Sequence, residues 1–314
     1  MRFRALAVVF IILALSPNLS AAQKNLVWTD GTPHFRDAAI EAAARYGMGS
    51  PPSGKAVQDT VGQTRTFWAY NLSGGNYYQT NATLRAVTEN AYVYVQLEDS
   101  AGNDVWNDGG TWNGYITQTD VNSISEEFND SIYACVRANF SDERPTGADG
   151  DSHVTILLLD IDNDYAKNLS SYGNYMAGYY DATNEYSTII YTASNQRKMI
   201  YIDTFPLIER GNSTGLTPTT DHSSTGEGVN ESYSVLAHEF QHMVHWWHDP
   251  NEETWVNEGC STLAHWTCGY GHHWSHINEF KQDTDNPLTS WGDTLADYGK
   301  TYMWTLYFYE RAGG

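Results

Sequence analysis

Positive charge is what this sequence most lacks. Lys and Arg number 17 of 314 residues against 38 Asp and Glu, a formal net charge of −21 at pH 7. Phosphate contacts require a basic surface, so this balance excludes nucleic acid as a partner. The acidic residues are spread along the chain rather than gathered in a tail, as on a solvated acidic surface. Cysteine is nearly as scarce, and Cys135, Cys260 and Cys268 form no metal-binding pattern. A chain of this length can bury real cores without disulfide staples. Cys260 and Cys268 would sit about two turns apart on a straight helix, too far to bridge. Cys135 paired with one of them, or three thiols, are both open. Long apolar runs are missing as well. The run from Ala5 to Leu15 is too short to span a bilayer. Arg2 and Arg4 before it and Ser20-Ala21-Ala22 after it make residues 1–22 a secretion signal, cleaved near Ala22. The mature chain is therefore expected outside the cell, with no stable membrane insertion.

Residues 23–60 are weakly organised. An alanine-rich helical pattern from Arg36 to Tyr46 is followed by Gly47, Gly49, Pro51, Pro52 and Gly54, which suits a linker or a propeptide. Residues 61–119 read as a β-rich region, with alternating runs over 64–70, 77–86 and 91–98. Trp68, Tyr70, Tyr78, Tyr92, Tyr94, Trp106, Trp112 and Tyr115 make it aromatic. Packing inside a β layer explains them more simply than stacking on sugar. From 120 the pattern turns helical, with Ser123 and Glu126 as a capping box and Ile124, Phe128, Ile132, Cys135 and Val136 on one face. Residues 154–159 form a continuous apolar strand, and 176–180 and 198–203 are further strands. Asp160, Asp162 and Asp164 could hold calcium. They lack the glycine and terminal glutamate of a calcium loop, which favours a solvated acidic turn.

The stretch that carries chemistry is His238-Glu239-Phe240-Gln241-His242. On a helix, residues four apart lie on one face, so both imidazoles can grip one ion with the Glu239 carboxylate beside them. Asn230 is a candidate helix cap, and Val235, Leu236, Phe240, Met243, Val244 and Trp247 give the apolar surface of a buried helix. Pro250 should stop it near His248. A second helix from about Thr254 to Gly269 would bring Glu258 back over the histidines. Two residues compete as third ligand, His248 and Glu258. His265, His272, His273 and His276 form another group, read as surface or cleft histidines rather than a second metal site.

Trp255-Val256-Asn257-Glu258-Gly259 resembles the second-helix glutamate segment of the gluzincins, the HExxH-plus-Glu zinc peptidases. Together with His238 to Met243 and Asp297-Tyr298-Gly299, it looks closest to the hyicolysin family of secreted peptidases. His248 stands where a metzincin has its third histidine, but that pattern requires glycine where His245 stands, and a later methionine turn. The gluzincin resemblance implies an α+β, zincin-like, two-lobed catalytic domain over 120–314. It implies one zinc ion on His238, His242 and Glu258, with Glu239 as general base. Tyr298, with Tyr302 as the alternative, would stabilise the oxyanion. Only some 55 residues follow Glu258, so the lower lobe is short or truncated. No Gly-x-Met-Glu-Asn exopeptidase motif precedes His238, which points to an endopeptidase acting on proteins or peptides. The rival expectation is an exported zincin-like module that binds glycan or protein without catalysis.

Overall fold

The computed structural model describes residues 27–52, 56, 58–161, 174–209 and 227–313. The expected secretion signal and the Asp162 and Asp164 of the expected acidic turn lie outside these residues. A mixed seven-stranded sheet organises the fold, in the order β1-β6-β7-β5-β4-β3-β2. Its strands are β1 (Val27–Asp30), β2 (Thr64–Asn71), β3 (Asn76–Val87), β4 (Ala91–Gln96), β5 (Val154–Leu159), β6 (Asn174–Tyr180) and β7 (Met199–Asp203). Every residue of β4 and of β5 is buried. Strands apolar on both faces need cover above and below and partners on each side. They find partners in each other, Tyr92 opposite Thr155 and Val93 opposite Ile156 in a parallel ladder. The strands of 61–119 therefore continue the sheet that later residues build. Mixed α and β content in one sheet is compatible with the α+β expectation.

The helices are α1 (Arg36–Tyr46), α2 (Gln118–Glu127), α3 (Tyr133–Phe140), α4 (Glu227–His248), α5 (Thr254–Thr267), α6 (Trp274–Phe280) and α7 (Leu295–Ala312). Ile124, Phe128, Ile132 and Val136 from the α2–α3 segment and Val235, Leu236 and Phe240 from α4 pack with Val93, Val95, Ile156, Leu158, Ile200 and Ile202 in one core. A second core joins Tyr92, Tyr94, Leu157, Leu159, Tyr179 and Tyr201 with Phe35 and Phe67. Strand side chains alternate between faces, so adjacent residues such as Leu157 and Leu158 serve different cores. Much of the aromatic content of 61–119 is thus structural filling.

Several expectations are corrected. The α2 capping box is Thr117 with Asp120, one turn before Ser123 and Glu126. The Asp120 carboxylate accepts from the Thr117 N–H as a glutamate would, and the helix starts earlier. Asn230 is exposed inside α4 rather than capping it, because the helix already runs from Glu227. His265 and His276 are buried, not on the surface. One face of α7 is covered: it buries Tyr298, Thr301, Tyr302 and Thr305, while Trp304, Tyr307 and Phe308 stay 40–60% exposed. Asp160, where the acidic turn was expected to be solvated, is buried at the end of β5.

Among the described residues no helix is long and apolar enough to cross a membrane. A disulfide joins Cys135 in α3 to Cys268, the residue that ends α5, and Cys260 keeps a free thiol that burial pushes up to about 12. The bridge closes a loop with a sequence separation of 133. Cross-links of this kind typically stabilise by about 2–4 kcal/mol. Cys135→Ser should therefore lower the melting temperature, and reductant should lower that of the native chain but not of the variant.

Candidate metal centre

The middle of α4 is wholly buried, with Val235, Leu236, Phe240, Met243 and Val244 around it. Burial of that surface fixes the rotation of the helix and aims His238, Glu239 and His242 to the other side. The helix ends at His248, two residues before Pro250, and α5 packs back against it. Glu258 arrives early in α5. Gly259 beside it lets α5 lie against α7: a Cβ there would come within 3.1 Å of the Thr301 carbonyl oxygen. Gly299 does the same for α6, where a Cβ would meet Phe280 Cβ at 2.9 Å. On the sheet side a Cβ at Gly178 of β6 would stand 2.9 Å from Glu239 Oε1.

Among the described residues one group of potential metal donors converges: Asp30, His238, His242 and Glu258. The two Nε2 atoms are 3.1 Å apart. Glu258 Oε2 is 3.4 Å from His238 Nε2, and Oε1 is 3.6 Å from His242 Nε2. Asp30 Oδ2 is 3.2 Å from His242 Nε2 and 3.9 Å from His238 Nε2. Donors at roughly 2.0–2.1 Å from zinc in a tetrahedron stand about 3.3–3.4 Å from one another. The observed edges bracket that value. Buried Asp30 Oδ2, Glu258 Oε2 and Glu239 Oε1 have no hydrogen-bond partner in the protein. Orphaned carboxylate oxygens are costly, and a divalent cation among them would satisfy them. The residues fit zinc.

His242 is oriented from behind. Its Nδ1 lies 2.9 Å from Asn257 Oδ1 and 3.0 Å from Ser261 Oγ. An N–H donated to Asn257 puts the proton on Nδ1 and leaves the Nε2 lone pair facing the cluster. Burial, then the charge of His242, lowers the His238 pKa well below the usual range, so this ring is a neutral donor. The carboxylates divide. Burial and the charge of Asp30 push Glu239 and Glu258 well above the carboxylate range. Burial would raise Asp30 also, but the His242 and His238 rings beside it hold it far below. Like charges packed this closely cannot all ionise without a cation.

The other candidates separate by position. His248 is exposed, and its Nε2 meets the Asp142 carbonyl oxygen at 2.8 Å, away from the cluster. Tyr298 is fully buried, its hydroxyl 3.4 Å from the Asp30 carbonyl oxygen and 3.2 Å from Asp293 Oδ1. Tyr302 instead pairs with His272 Nδ1. His265, His273 and His276 surround the Trp28 ring at centroid distances of 4.7–5.6 Å. Asp30 was not legible as a donor. It lies 208 residues before His238 in a weakly patterned stretch, where no spacing marks it.

The chain is similar to a known protease. It is 26% identical over 261 residues to the neutral metalloprotease ShpI of Staphylococcus hyicus. The match takes in 79% of this chain and 51% of that protein, so the chain spans about half the length of this curated relative. No family profile matches the chain. The likeness supports a metalloprotease family, and the buried Asp/His/His/Glu cluster is a donor set that a metal could use.

Loading this site should release protons. Glu258 holds its proton above the ordinary carboxylate range in the cation-free site and must lose it to coordinate. Zinc affinity of the metal-free chain should therefore rise with pH above the ordinary carboxylate range. Calorimetry in buffers of different ionisation enthalpy checks this; a buffer-independent heat would contradict it.

Proposed function

We propose that this chain is the catalytic part of a secreted, zinc-dependent endopeptidase of gluzincin type, with a zincin-like fold. The observation that carries the proposal is a buried, converging set of imidazole and carboxylate donors with a carboxylate beside it, Glu239, that is not one of them. His238, His242 and Glu258 would hold the ion. Bound zinc supplies a Lewis acid and lowers the pKa of a water at an open position towards about 7. Glu239 would serve as general base, taking a proton from the attacking water and returning it to the leaving amine. Its buried Oε1, without a partner of its own, suits a proton carrier. Tyr298 keeps its proton, because burial first and then the charge of Glu258 raise its pKa well above the usual value. It can therefore donate a hydrogen bond to the developing oxyanion. His265, His272 and His273 line a cavity of about 410 Å³ with Trp28, Tyr233 and Tyr270. An aromatic and imidazole lining of this kind fits a peptide side chain.

One observation favours a second function, an exported zincin-like binding or surface-layer module. Asp30 stands where a fourth donor completes the shell, and structural zinc sites are closed. Glu239 weighs against it, since a closed site has no use for an adjacent free carboxylate.

Glu239→Gln should retain zinc and lose casein hydrolysis by about 10²–10⁴-fold, the usual contribution of general acid–base catalysis. Retained turnover would remove Glu239 from that role. Glu258→Ala should weaken zinc binding by more than the roughly 10–100-fold expected from loss of an outer partner. His248→Ala should leave it unchanged. Metal content after dialysis reads both.

A further inference from the structure

We infer that the segment from Trp28 to Thr32 is an internal blocker: Asp30 takes the fourth corner of the metal site and β1 fills the groove along β6. This form of the chain is latent. The inference rests on the peptidase proposal and concerns how that site is kept closed.

Each group that the proposed chemistry needs is engaged by these few residues. Asp30 is fully buried and points Oδ2 at both imidazoles, 3.2 Å from His242 Nε2 and 3.9 Å from His238 Nε2. Its other oxygen accepts from the Thr32 N–H at 2.9 Å, which fixes the side chain. Thr32 Oγ1 accepts from the Tyr180 N–H at 2.8 Å and stands between Asp30 Oδ1 at 2.9 Å and Glu239 Oε2 at 3.1 Å, sharing its one proton between them, so one oxygen of the general base faces this segment. The Tyr298 hydroxyl points at the Asp30 carbonyl oxygen. Trp28 fills the space between His238, His265, His273 and His276, and its carbonyl oxygen lies 3.0 Å from His276 Nε2.

The backbone agrees with the side chains. β1 is the outermost strand and pairs with β6 alone, in parallel, from Val27 opposite Asn174 to Thr29 opposite Met176. The register then slips so that Asp30 stands opposite Gly178, the residue whose missing Cβ leaves room for Glu239. Without β1 the edge of β6 would be free to add an extended peptide beside the donors. β1 already makes that addition. Its tether is covalent, so its effective concentration at the groove exceeds that of any substrate in solution. Pro51 and Pro52, downstream of α1, are exposed. A cut near them would end that advantage and leave a short segment held by its own contacts, those of Trp28, Phe35 and the Arg36 guanidinium on the Glu252 carbonyl oxygen.

The test uses the full chain loaded with zinc and a fluorescent peptide hydroxamate, which must reach an open metal position to bind. Asp30→Ala should keep one zinc per chain, bind the probe at least about 100-fold more tightly than the native chain, and cleave casein faster. Asp30→Asn keeps an acceptor for the Thr32 N–H and serves if Asp30→Ala melts early; it should shift in the same direction. Zinc retained with unchanged probe affinity in both variants overturns the inference. So does loss of zinc from both, which would make Asp30 a permanent ligand. Tighter probe binding without peptide cleavage leaves the blocker in place and removes the peptidase proposal instead.

Discussion

Three carboxylates and two imidazoles share one water-excluded space, and that constraint shapes the rest of the molecule. Asp30, Glu239, Glu258, His238 and His242 are all about 1% exposed or less. In an apolar interior such a set is costly unless each charge is met. Burial and the mutual repulsion of the carboxylates push Glu239 and Glu258 above the carboxylate range, while the neighbouring imidazoles lower Asp30. A dication would reverse the arrangement by replacing protons with ligation. The acidic exterior has no part in this; its charges are solvated and screened.

Close approach is the means by which the fold meets the constraint. The donors come from α4, α5 and an edge strand, and such elements can bring carboxylates within 4 Å of the rings only if the backbones nearly touch. Glycines stand at those places: Gly178 where β6 meets Glu239, and Gly259 where α5 meets α7. The disulfide between Cys135 and Cys268 anchors the far end of α5 to α3. Asn257 and Ser261 on the same helix orient His242, so a single element supplies a donor and the support for another. Gly178 also ties the groove to the base: the residue that lets the sheet close on Glu239 is the one Asp30 stands opposite.

Much of α4 and α5 was readable in the chain because their signals are local. The four-residue spacing of His238 and His242, Pro250 as a stop and the run at 154–159 each depend on neighbours only a few positions away. The failures share a cause too. Ser123 and Asn230 have the right chemistry for caps, but Thr117 offers the same chemistry earlier and α4 is already helical from Glu227. The apolar content of α7 is dense, yet local density does not say how much neighbouring surface exists to cover a helix. Only one of its faces finds partners.

The sequence alone determined the two histidines and the glutamate on one helix face, because helical geometry follows from spacing. It determined Glu258 as a candidate by resemblance, and the strongly acidic net charge by composition. Tertiary structure alone decided that the β-rich stretch and the later strands form one sheet, since strand pairing is a long-range choice among many edges. It alone brought Asp30 to the donors from 208 residues away. No local pattern encodes a contact that the closure of a sheet edge creates.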